Sequence, residues 1–183
     1  LVLARHRAAA SALTEAFRHR ETRKIYWAAV AGVPAPKSGT IKYGLVKSMG
    51  HGAKGAGEKM HCVHPRDVAS VEGAKRALTD YRVLSALAKR GAWVALAPIT
   101  GRTHQLRAHM AEIGHPIIGD GKYGDKNHDD MFIEKFGWNN LFLHAGKLVF
   151  VHPFTSELIN LTASFNDNWI HLFKVFTWRN PLL

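Results

Sequence analysis

Two rhythms of apolar residues organise the chain. Near the start, Ala9, Leu13, Ala16 and Phe17 recur at spacings near four and three, which a helix gathers on one face. Arg18, His19, Arg20, Arg23 and Lys24 then lead into Ile25-Tyr26-Trp27-Ala28-Ala29-Val30-Ala31, aromatic and β-branched enough for a strand that ends at Gly32-Val33-Pro34. Strand side chains alternate, so Tyr26, Ala28 and Val30 share one face while Ile25, Trp27 and Ala29 share the other. This places Tyr26 toward a cleft and Trp27 in packing.

From Pro34 to about Pro65 the pattern dissolves into Pro, Gly, Ser and Lys, including Met49-Gly50-His51-Gly52-Ala53-Lys54-Gly55, which reads as a flexible basic loop between two edge strands. Ala74 to Leu84 and Trp93 to Ile99 are read as two strands of a hairpin, turned by Lys89-Arg90-Gly91. Thr103 is the predicted N-cap of a helix whose buried stripe is Leu106, Met110 and Ile113, closed by Gly114 with Pro116 beyond. Leu141 to Ala145 and Lys147 to His152 are strand material. Asn166 or Asp167 is expected to cap a last helix that docks on the sheet through Trp169, Leu172, Phe173 and Phe176. No repeat or composition break divides the chain. The opening Leu1-Val2-Leu3-Ala4 reads as a strand entered in its middle, so further chain is expected before it.

Composition narrows the class. With 183 residues, 46% of them hydrophobic, the chain is long enough for one sizeable core and too short for two domains, so 1–183 is expected to be a single domain. Lys and Arg number 25 against 14 Asp and Glu, a formal charge of +11 that attracts polyanions, nucleic acid first. The single cysteine, Cys62, excludes an internal disulfide framework and fits a reducing compartment, the cytoplasm or an organelle matrix. No apolar run approaches the roughly 18 residues of a membrane span, so no membrane partner is expected, and no obligate protein partner is inferred.

Several motifs are imitations. Gly50-x-Gly52-x-x-Gly55 has the letters of a dinucleotide fingerprint but no helix pattern opens at its third glycine to hold a pyrophosphate. His61, Cys62 and His64 lack a second ligand pair at ordered spacing; His104 and His109 are five apart and stack poorly on one helix face. Asp120, Asp125, Asp129 and Asp130 lack the alternating oxygens of a calcium loop. No metal site is assigned.

The strongest signal is Gly101-Arg102-Thr103-His104-Gln105-Leu106-Arg107-Ala108-His109, followed by Gly114-His115-Pro116-Ile117-Ile118-Gly119-Asp120 and Lys122-Tyr123-Gly124. A basic turn here feeds a helix N-terminus, where amide donors and the helix dipole favour anions. On the wheel Arg107 lies about 60° from Met110 and about 100° from Leu106, at the border of the buried stripe, where an arginine is usually paired.

These runs resemble the RluA-like RNA pseudouridine synthases, whose Gly-Arg-Thr/Ser-His-Gln-Leu/Ile-Arg-x-His and Gly-x-Pro-Ile-x-Gly-Asp are matched without a gap. Arg23 to Gly32 is similar to the family's Lys-x-Tyr-x-Ala-x-Val-x-Gly, and Leu141 to Ala145 with His152-Pro153 extends the likeness. The resemblance implies an α+β fold with a mixed, mostly antiparallel central sheet, flanking helices and a cleft across its centre lined by the Thr103 to Ile113 helix. It also implies isomerisation of uridine in structured RNA without a cofactor, with ribosomal RNA favoured and transfer RNA the second candidate. By the same carry-over Tyr26 lies against the flipped base and Arg107 pairs with the reacting aspartate, while Arg102, His104, Lys122 and Tyr123 are candidate RNA contacts. The family's aspartate sits in His-Arg-Leu-Asp-x-x-Thr-Ser-Gly, which runs into a strand like Leu1 to Ala4. The motif is therefore expected before residue 1, and the 183 residues alone are expected to be inactive. His64-Pro65-Arg66-Asp67 echoes it only superficially, in the wrong order. The competing reading is a non-catalytic RNA-binding protein on the same fold.

Overall fold

The strand of Tyr26 lies at the middle of the architecture. The computed structural model describes residues 2–17, 22–47 and 59–179. In it β1 (Arg23–Ala31) pairs antiparallel with β6 (Gly91–Pro98) on one side and β7 (Leu143–Val151) on the other. Outside these lie β5 (Thr79–Leu87), β2 (Ser38–Ile41) and β8 (Leu158–Thr162), so the six strands run β2-β5-β6-β1-β7-β8, each pair antiparallel. A second, two-stranded sheet joins β3 (Gly44–Lys47) to β4 (Met60–Val63). Four helices, α1 (Arg7–Ala16), α2 (Gln105–Glu112), α3 (Lys126–Phe136) and α4 (Asp167–Val175), flank the strands. The fold is α+β with an antiparallel central sheet.

The alternation along β1 divides the core into two layers, as expected from the sequence. Trp27 and Ala29 pack with Trp93, Phe142, Trp169, Leu172, Phe173 and Phe176, the layer under α4. Ala28 and Val30 pack with Val94, Leu96, Leu106 and Met110, the layer under α2, and Tyr26 leans on that cluster half-buried. Asn166 caps α4, its side-chain oxygen accepting from the Trp169 N–H at 3.1 Å. Each large side chain buried this way contributes about 1.5–3 kcal/mol, so the aromatic cluster anchors α4 far more firmly than helix propensity does.

Other expectations need correction. The stretch from Pro34 to Pro65 contains β2, β3 and β4. Four-residue strands such as Ser38-Gly39-Thr40-Ile41, with one buried residue, carry too little alternation to be seen. The run Met49 to Glu58 lies outside the described residues, apart from which Lys59 leads into β4. The first hairpin strand begins at Thr79, not Ala74. Edge strand β8 and helix α3 were not anticipated; in α3 only Phe132 is buried, so no stripe announces it. Asp125, read as one of an acidic crowd, caps α3 by accepting from the N–H groups of Asn127 and His128 at 2.9 and 3.4 Å. Leu141 to His152, read as two pieces, is largely one strand, with Gly146 as the extra residue of a β-bulge opposite the step from Ile25 to Tyr26. A Cβ at Gly146 would strike the Trp27 ring, which explains the glycine.

Candidate active site

Helix α2 is held on the sheet by polar side chains. Its expected cap, Thr103, is exposed, and the N-cap position is His104, in the left-handed region at φ 51° with no side-chain cap bond. In place of a cap, the buried Gln105 side-chain oxygen accepts from the Arg102 N–H at 3.0 Å and the Thr100 hydroxyl at 2.7 Å. Gln105 Nε2 donates to the Leu78 carbonyl at 2.8 Å and lies 2.9 Å from Thr79 Oγ1. His109, fully buried, places Nε2 3.0 Å from the Tyr43 carbonyl and Nδ1 2.9 Å from Thr79 Oγ1. A carbonyl only accepts, so Nε2 carries the proton, Nδ1 accepts from Thr79, and Thr79 accepts from Gln105. Every side-chain donor and acceptor of Gln105, Thr79 and His109 is satisfied, which is what makes their burial tolerable. Burial pushes the His109 imidazole down, with the Tyr43 carbonyl opposing in part, so it stays neutral. Thus Gln105 and His109 of the signature run serve to seat the helix.

The segment after α2 returns to β1. Gly114 turns the chain at φ 82°, the Ala31 N–H donates to the Pro116 carbonyl and the Ile118 N–H to that of Ala29, both at 2.9 Å. Gly119 follows at φ 75°, where a Cβ would run into the Asn140 carbonyl. This delivers Asp120 beneath Arg107. Arg107 Nε donates to Asp120 Oδ2 at 2.8 Å and Nη2 to Oδ1 at 2.6 Å, while Oδ1 also accepts from the Lys122 and Tyr123 N–H groups, each at 3.1 Å. The Asp120 side chain is 0% exposed and that of Arg107 20%. Burial alone would raise the Asp120 carboxyl; the Arg107 bonds and the two backbone N–H groups outweigh it and hold it below the usual carboxylate value. The same bonds raise Arg107 further, so the guanidinium is permanently charged.

An arginine at the border of the buried stripe is thus paired, and its partner within the chain is Asp120. Sequence reasoning missed this residue; the signal was its place in Gly119-Asp120, directly after a turn. Two of the five guanidinium donors are committed to Asp120, and among the described residues the others have no partner. Tyr123 lies against the pair: its ring centroid is 5.1 Å from Arg107 Cζ, and its hydroxyl accepts from the Met60 N–H at 2.7 Å and lies 3.1 Å from His104 Nδ1. Lys59 Nζ stands 5.5 Å from the same ring.

Arg107 and Tyr123 therefore meet Asp120, Lys122 reaches it through its backbone N–H, and His104 joins through the Tyr123 hydroxyl. Arg102 stands apart, exposed, with Nε donating to the Arg76 carbonyl at 3.2 Å. Tyr26, half-buried, shares the α2 layer but makes no bond to Arg107, and its hydroxyl has no hydrogen-bond partner among the described residues. Among the described residues no three His, Cys, Asp or Glu side chains converge as metal ligands. Cys62 is held inert, its thiol pushed up to about 12 by burial and by Glu112. A cavity of about 740 Å³ opens around Ala31, Arg90 and Phe136, and none of Arg107, Asp120, Tyr123 and His104 lines it.

A family model described as RNA pseudouridylate synthase matches residues 1–112, which includes Tyr26 and Arg107 and stops short of Asp120. The tRNA pseudouridine synthase C of Vibrio parahaemolyticus is 32% identical over 193 residues, covering 100% of this chain and 74% of that protein. The protein of the same name from Haemophilus ducreyi is 35% identical over 177 residues, covering 91% and 68%. Among solved structures, human RNA pseudouridylate synthase domain containing 4 is similar with a TM-score of 0.69 and 29% identity, over 94% of this chain and 69% of that one. Human RNA pseudouridylate synthase domain containing 1 gives a TM-score of 0.66 and 28% identity, over 88% and 62%.

Proposed function

We propose, from the premise that this chain belongs to the RNA pseudouridylate synthase family, that it isomerises uridine to pseudouridine in transfer RNA. The names of its relatives move the preferred substrate from ribosomal to transfer RNA. The observation that carries the reading is the guanidinium of Arg107, locked by Asp120 along one edge and unpartnered along the other among the described residues.

In the reaction the C1′–N1 bond breaks, the uracil turns, and a C1′–C5 bond forms; the proton on C5 leaves and N1 gains one. The family's aspartate must be ionised whether it attacks C1′ or removes a proton from C2′. The unpartnered edge of Arg107 lowers the pKa of a carboxylate placed against it. Tyr26, with an unengaged hydroxyl at the bulge opposite Gly146, lies against the flipped base and assists loss of the C5 proton. Arg102, His104 and Lys122 hold phosphates flanking the target.

Arg107→Met in the full-length protein tests this. Pseudouridine in transfer RNA, read as carbodiimide-dependent reverse-transcription stops, should disappear while RNA binding falls modestly. A wild-type protein that binds RNA but forms no pseudouridine would favour the non-catalytic reading; stops in ribosomal RNA alone would reassign the substrate.

A further inference from the structure

We infer that Tyr123 is a positioning residue for Arg107, its ring seated against the guanidinium and its hydroxyl pinned between the Met60 N–H of β4 and His104. The inference rests on the proposed role of Arg107.

Tyr123 reaches the Arg107–Asp120 pair twice. Its backbone N–H donates to Asp120 Oδ1 at 3.1 Å, and its ring lies 5.1 Å from Arg107 Cζ, a distance at which a cation is attracted to the ring face. A guanidinium bound along one edge still has freedom to tilt about that edge. The ring removes this freedom only if the ring itself is fixed. The hydroxyl does so by accepting from the Met60 N–H at 2.7 Å and lying within hydrogen-bond reach of His104 Nδ1, at 3.1 Å. The His104 ring meets the Tyr123 ring edge-on, with centroids 5.7 Å apart. Burial raises the Tyr123 phenol, so the donor proton is retained.

These contacts join four pieces of chain: β4 through Met60, the α2 N-terminus through His104, the body of α2 through Arg107, and the turn after Gly119 through Asp120. They also change the reading of Tyr123 itself. An RNA-contacting tyrosine would offer its hydroxyl to the nucleic acid, and this one is engaged within the protein by the Met60 N–H and by His104. Displacement of a catalytic group by about 1 Å costs on the order of 100-fold in rate, so the ring has leverage without touching the reacting atoms.

Two variants separate the ring from the hydroxyl in the full-length protein. Tyr123→Leu, which removes both, should lower kcat on transfer RNA by about 100-fold with KM changed much less. Tyr123→Phe keeps the ring and loses the pin, two hydrogen bonds, for an intermediate loss of about tenfold. In both, the acid limb of the kcat pH profile should move to higher pH, because a carboxylate less tightly faced by Arg107 protonates more readily. An unmoved limb, or a loss confined to KM, would make Tyr123 a structural or RNA-contact residue and overturn the inference. Should Tyr123→Leu fail to fold, Tyr123→Phe decides alone, and wild-type kcat in it also overturns the proposal. A wild-type protein inactive on every RNA would instead sink the function proposed for the site, a result distinct from active wild type with indifferent Tyr123 variants.

Discussion

Arg107 and Asp120 meet through two parallel hydrogen bonds, Nε to Oδ2 at 2.8 Å and Nη2 to Oδ1 at 2.6 Å, with the carboxylate wholly buried. Asp120→Asn keeps the shape and removes the charge. It turns one accepting oxygen into a donor that opposes a guanidinium N–H, and it leaves Arg107 without its counter-ion. Stability should fall by about 2 kcal/mol, less than for a fully buried pair because the arginine keeps some solvent. Catalysis should fall further than that loss explains. Urea melts and single-turnover rates measure the two separately; a variant with wild-type turnover would show that the pair only stabilises the fold.

Because burial depresses the His109 imidazole, the folded state binds fewer protons there than the unfolded one as pH drops below the ordinary histidine value of 6.5. Stability from this group is complete above that value and is lost as pH falls through it, at up to about 1.4 kcal/mol per pH unit. Protonated Nδ1 also has no lone pair for the Thr79 hydroxyl. Between pH 7.5 and 5.5 the wild-type urea midpoint should drop, and His109→Gln should start lower yet drop less. Parallel slopes for the two proteins would remove His109 from the account. Asp120, also depressed, acts in a separate and lower window, below its ordinary value of 3.8.

The sequence showed the layers better than the site. Alternation along Tyr26 to Val30 and the spacing of Leu106, Met110 and Ile113 report burial, which is what apolar periodicity records, and both are found. Strands β2 and β8 are edge strands with few buried residues, so their pairing leaves little trace in composition. The polar residues of the signature run were visible, but their partners were not. Gln105 and His109 depend on Thr79 and Tyr43, 26 to 66 positions away, and such pairings follow from topology. Asp120 was hidden differently: four aspartates stand close together in sequence, and only burial distinguishes the one beneath Arg107 from the helix cap at Asp125.

Two glycines near the site separate backbone strain from collision. Gly114 and Gly119 both have positive φ, 82° and 75°, but a Cβ at Gly114 would meet open space and one at Gly119 would overlap the Asn140 carbonyl. Gly114→Ala should cost about 1 kcal/mol, the price of a left-handed alanine. Gly119→Ala should cost at least about 2 kcal/mol more, since backbone must move, and should lower activity by displacing Asp120. Equal melting shifts for the two variants would contradict the close approach at Gly119.

Arg102 offers the simplest test of whether the basic surface reads phosphate. It is exposed, its side chain donates through Nε to the Arg76 carbonyl at 3.2 Å and makes no other hydrogen bond among the described residues, and it lies two residues before the N-cap of α2. Removing it leaves that carbonyl at a solvated position, so the fold should hardly notice. If its remaining N–H groups grip one phosphate, Arg102→Ala should weaken transfer-RNA binding and flatten the plot of log affinity against log salt by about 0.7 to 0.9, one released counterion. The same loss should appear with RNAs of unrelated sequence, since a phosphate contact carries no base information. Binding titrations at four or five salt concentrations suffice, and a vertical offset with an unchanged slope would assign Arg102 to shaping the turn at Thr100 and Gln105 instead.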